Sequence, residues 1–78
     1  MTLSRSDQVA AEVRAETARQ RLSQGKLAEK LGMSESSVSL RLSGRIEFKV
    51  SELLAFADVL AVPVTQFLPT AVTAERVA

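Results

Sequence analysis

The chain contains no cysteine, histidine, tryptophan or tyrosine. Without cysteine there is no disulfide framework and no thiolate zinc site, which fits an intracellular protein. The missing histidine, cysteine and tyrosine remove the commonest acid–base and nucleophile sets, so an enzyme is not expected. Serine–lysine chemistry would need a pocket that a chain of 78 residues hardly provides. Three phenylalanines are the only aromatics, so the core should be largely aliphatic. The apolar runs are far too short to cross a bilayer, and the opening MTLSRSDQ holds no secretory apolar segment. There is no internal repeat and no low-complexity run. No metal-ligand set, cofactor motif or small-molecule pocket is legible, so neither cofactor nor metal is expected.

What is present points to one small helical domain. An apolar fraction of 46% is ample for a compact core. A chain of this size buries only about 60% of its unfolded surface, near the lower limit for unaided folding. Net charge is +1, but it is unevenly placed. Residues 1–49 carry nine Lys and Arg against six Asp and Glu, while residues 50–78 carry one against three. The basic stretch, residues 1–49, suits contact with a polyanion.

Within it lies SQGKLAEKLGMSESSVSLRLSG, residues 23–44. Ser23 can cap a helix opened by Gln24, with Leu27, Ala28 and Leu31 on one face. Gly32 can end it in a left-handed conformation. Two residues later Ser34 can cap a second helix, closed by Gly44. So short a link forces two helices of about two turns to cross steeply, as in a helix-turn-helix unit. Leu27, Leu31, Met33, Val38 and Leu42 should fill the space between them, and Ala28 allows close approach. The outer face of the second helix holds Glu35, Ser36, Ser39, Leu40 and Ser43. Hydroxyls can bond base edges and Leu40 can meet a thymine methyl; the same face also reads as ordinary solvated surface.

Ser23-Gln24, Leu27-Ala28, Leu31-Gly32, Ser34, Val38-Ser39 and Ser43-Gly44 together resemble the Cro/repressor-type, or XRE, helix-turn-helix family of bacterial and phage regulators. The resemblance spans residues ~6–68. It implies an all-α fold, a compact lambda-repressor-like bundle of about five short helices. It implies sequence-specific binding to double-stranded DNA, with helix 34–43 in the major groove. Glu35, Ser36, Ser39, Leu40 and Ser43 would then read bases. Ser23, Gln24, Lys26, Ser34, Arg41 and Arg45 would hold phosphates, the capping serines through helix N-termini. Members of the family often bind as dimers on two half-sites, so a homodimer is an expectation to be tested. The small size resembles a phage Cro-like or immunity protein, or a small bacterial regulator, acting in the cytoplasm on the nucleoid, as a repressor. One position departs from the family. Three residues before Gly44 an apolar side chain is usual, and here stands Arg41; it is expected at the helix edge, within reach of a phosphate.

Around the motif, Ser6-Asp7 should cap a supporting helix running to about Arg21, after a loose start over residues 1–5. Val9, Ala10, Val13 and Thr17 form its inner face. Glu12, Arg14, Glu16 and Arg19 form its outer face, with Glu16 and Arg19 weakly paired. Gly25 either lets a phosphate approach the backbone or is a tolerated exposed position, and Lys30 is a further phosphate candidate. Ile46 and Phe48 should pin the connection after Gly44 to the core. Val50, Leu53, Leu54, Ala57 and Leu60 mark an amphipathic helix over residues ~50–61, with Phe56 beside them. Pro63 should open a short last helix, 64–68, ended by Pro69. Phe67 and Leu68 either cap the core or form a self-association patch. The domain is expected to cover residues 1–69, and residues 70–78 to be a mobile tail. The rival reading is a protein-interaction module on the same fold, such as an antitoxin that binds a toxin.

Overall fold

Ser4 starts the first helix. In the computed structural model, which describes residues 4–69, its Oγ accepts a hydrogen bond from the Asp7 N–H at 3.1 Å, and α1 runs Arg5–Arg19. The cap therefore lies earlier than Ser6-Asp7, and Arg5 is helical rather than part of a loose start. Serine three residues before an acidic side chain satisfies an orphan N–H and places negative charge at the helix N-terminus. The helix also ends earlier than expected, because Arg21 adopts a left-handed conformation with φ 57°. The expected tail, 70–78, lies outside the described residues.

Three more helices follow: α2 (Gln24–Leu31), α3 (Glu35–Leu42) and α4 (Val50–Leu60). The last element is a single 3₁₀ turn, Val64–Phe67, where a short α-helix was expected. Pro63 precedes it as the cap residue and Pro69 follows it closely. The all-α expectation holds: the described residues form four α-helices and one 3₁₀ turn, with no strand.

One core joins all five elements. Val13, Leu27, Ala28, Val38, Leu42, Phe56, Ala57, Leu60 and Phe67 are buried together. Phe48 meets Phe56 edge-to-face, with ring centroids 4.9 Å apart, and so pins the α3–α4 connection. Ile46 does not pin it; that side chain is 40% exposed. The inner face of α4 is Phe56, Ala57 and Leu60, with Leu53 packed alongside, while Val50 and Leu54 are turned to solvent at 77% and 48% exposure. Phe67 closes the core and Leu68 stays exposed.

Glu16 is a second correction. It was expected on the solvent face, yet it is buried. Its carboxylate accepts from Gln20 (2.9 Å), Arg19 (2.9 and 3.1 Å) and Gln66 (2.6 Å). Gln20 also donates to the Leu60 carbonyl at 2.6 Å. This polar knot ties α1 to the end of α4 and to the 3₁₀ turn. The bonds from Gln20, Arg19 and Gln66 hold the Glu16 carboxyl below its ordinary pKa, against the opposing effect of burial.

Candidate nucleic-acid interface

The α2–turn–α3 unit is built by three local signals. Ser23 Oγ accepts from the Lys26 N–H at 3.0 Å and starts α2. Gly32, at φ 68° and ψ 30°, ends it, and the Met33 N–H returns to the Ala28 carbonyl at 3.0 Å. Ser34 Oγ accepts from the Ser37 N–H at 3.1 Å and starts α3. Capping satisfies N–H groups that a two-turn helix cannot pair internally. Leu27 and Ala28 on α2 and Val38 and Leu42 on α3 are buried against each other and the other helices, which fixes the roll of α3.

That roll leaves Glu35, Ser36, Ser39 and Ser43 exposed, and Leu40 half-buried. The five expected base-reading residues thus share the outer side of α3, Leu40 at its margin. Their hydroxyls are not equivalent. Ser43 Oγ donates to the Leu40 carbonyl at 3.0 Å, and Ser36 Oγ lies 3.3 Å from Ser34 Oγ. Ser39 is exposed, and among the described residues its hydroxyl has no partner. The Glu35 carboxylate folds back over the first turn of α2. A Cβ on Gly25 would lie 3.2 Å from its Oε1, so Gly25 makes room for Glu35.

The expected phosphate-holding residues divide into two groups. Ser23, Gln24, Lys26, Ser34 and Arg45 are all exposed on the motif or just after it. Lys26 makes only a loose 3.8 Å pair with Glu29. Arg41 is different, and its expected position at the helix edge is corrected. Its Nε and Nη2 donate to the two carboxylate oxygens of Glu52 at 3.1 and 3.0 Å, and its Nη1 donates to the Ser37 carbonyl at 3.0 Å. Only 15% of the side chain is exposed. A planar guanidinium meets a carboxylate as a fork, and the partner supplied by α4 draws it inward. Arg41 and the Lys49 N–H hold the Glu52 carboxyl below its ordinary pKa.

Two cations near the motif were not singled out from the pattern. Arg14 of α1 donates through Nη1 to the Leu42 carbonyl at the end of α3, and it lines a shallow cavity with Leu22 and Gln24. Its place one position after the buried Val13 was the available signal. Arg21 sits two residues before the α2 cap, exposed and in the left-handed region. Nothing in side-chain periodicity marks a left-handed arginine.

Comparisons with known proteins agree with this geometry. The family model described as a helix-turn-helix domain matches residues 8–67. No curated protein sequence matches the chain. The crystal structure of the DNA-binding domain of BldD is similar at 30% identity and TM-score 0.77, covering 88% of this chain and 100% of that one. The BldD DNA-binding domain of S. venezulae is 30% identical with TM-score 0.74, over 83% and 97% of the two chains. The clp gene regulator ClgR from C. glutamicum shares the fold at 24% identity and TM-score 0.77, over 86% of each chain.

Proposed function

The chain belongs to the helix-turn-helix domain family, and on that premise we propose that it is a double-stranded DNA-binding transcriptional regulator that reads sequence with α3. The observation that carries this reading is the roll of α3. Its inner residues Val38 and Leu42 are 0% and 2% exposed, while Ser36, Ser39 and Ser43 stand outward as hydrogen-bonding groups. An α-helix fits the major groove, and hydroxyls can bond any of the base edges there. Ser39 has the freest hydroxyl, so it is the leading base-reading residue, with Glu35, Ser36, Leu40 and Ser43 around it. Ser23, Gln24, Ser34, Lys26 and Arg45 flank this face and hold phosphates. Such contacts set register and carry most of the salt-dependent affinity. The identity to the BldD DNA-binding domain supports the same reading.

The finer proposal is repression in the cytoplasm by occupying an operator, as a Cro-like or immunity protein of a phage or a small bacterial regulator does. A homodimer would place two α3 helices on half-sites one helical turn apart.

Two substitutions test the groove model. Arg45→Glu should weaken binding to every duplex and lower the salt slope by about 1 or more. Ser39→Ala should change preference at one or two base pairs, by roughly 0.5–1.5 kcal/mol for one hydrogen bond. If both variants fold and neither alters DNA binding, α3 does not lie in the groove.

A further inference from the structure

We infer that the Arg41–Glu52 pair is a positioning latch, which sets the orientation of α3 and of the connection behind it without itself touching DNA. The inference rests on the DNA-reading function proposed above. It begins from which helices touch. α3 packs closely on α2 and α1, and α4 packs on α2 and α1, but the backbones of α3 and α4 do not approach each other. Besides the shared apolar core, the two are joined by the 43–49 connection and by this ion pair.

The geometry of the pair is directional. The guanidinium fork meets both oxygens of Glu52, and Nη1 is anchored one turn back on α3 at the Ser37 carbonyl. Glu52 Oε1 also accepts from the Lys49 N–H at 3.0 Å, closing the first turn of α4. One carboxylate therefore holds α3 and the far end of the segment that carries Arg45. Both side chains are largely covered, at 15% and 21% exposure, so water and salt screen the pair less than a surface bridge. An apolar contact tolerates sliding, whereas a bidentate fork fixes both distance and direction. Removing one partner leaves the other charge half-buried and unpaired.

The test uses Glu52→Gln and Arg41→Lys. Gln keeps an oxygen for the Lys49 N–H and loses the charge; Lys keeps the charge and loses the fork. Two readouts are taken on each variant that unfolds cooperatively: amide hydrogen exchange of the free protein, and dissociation constants for a selected duplex and a random duplex. Exchange should rise about tenfold or more over residues 36–49 and much less in α1. The ratio of random to selected dissociation constants should fall about tenfold. Pairing the two substitutions should add little to either, since both remove one interaction. Uniform or unchanged exchange overturns the latch. Faster exchange over 36–49 with an unchanged ratio overturns its part in base reading. If the wild-type protein does not discriminate between duplexes, the DNA-reading proposal fails, and the exchange pattern still decides the latch.

Discussion

Arg21 and Ala61 carry left-handed backbone, with φ 57° and 58°, where glycine would sit without a steric penalty. Arg21 ends the turn after α1 and Ala61 caps α4. Arg21→Gly and Ala61→Gly should each stabilise the fold by about 0.5–1 kcal/mol, raising Tm by a few degrees in thermal unfolding. The opposite sign applies at the true glycines. Gly32 has open space around it, so Gly32→Ala isolates backbone strain and should cost about 1 kcal/mol in denaturant titration. Gly44, at φ 84°, is more constrained: an added Cβ would lie 2.7 Å from Asp7 Oδ1. Gly44→Ala should therefore be the more damaging of the two. Equal losses would mean that the Asp7 contact yields freely.

At the scale of elements, the 3₁₀ turn and the Glu16 knot close the bundle. Phe67 is fully buried, and Phe67→Ala should cost about 3–5 kcal/mol by calorimetry or denaturant titration. Glu16 and Glu52 both have carboxyls held below the ordinary range by their hydrogen bonds and cations. Their unfolded forms bind protons first on acidification. Their contribution is complete above the ordinary glutamate pKa, about 4.5, and is lost as pH falls through the lowered folded values. Tm should be flat from neutrality to about pH 5 and then fall, and Glu16→Gln should flatten that acid limb. The elements set by neighbours in sequence were legible: the Ser23 and Ser34 caps, the Gly32 turn, and the buried Val38–Leu42 face. The rest depended on distant partners. Glu16 is buried because Gln66, fifty residues on, reaches it, and Arg41 turns inward because α4 supplies Glu52. Val50 and Leu54 fit the helical period yet face solvent, because Phe56 with Ala57 and Leu60 takes the core side of α4. For the candidate interface, the exposed serine face followed from the placement of Val38 and Leu42. The identity of the inward arginine did not.

Across the whole molecule, the cations Lys26 and Arg45 and the hydroxyl face of α3 lie on the helix-turn-helix unit and its exit, while residues 50–78 are net acidic. Such a charge division predicts an oriented approach to a polyanion and affinity that falls steeply with salt. Phosphate attraction alone would give the same salt dependence, so sequence discrimination is the deciding property. The most direct measurement is selection of bound duplexes from a randomised DNA pool, followed by titration of the selected and a random duplex at two salt concentrations. An enriched motif, bound about a thousandfold or more tightly than random DNA, is the predicted result, and an inverted repeat would add a dimer. Weak, motif-free binding that disappears with modest salt would contradict a base-reading α3 and turn attention to a protein partner.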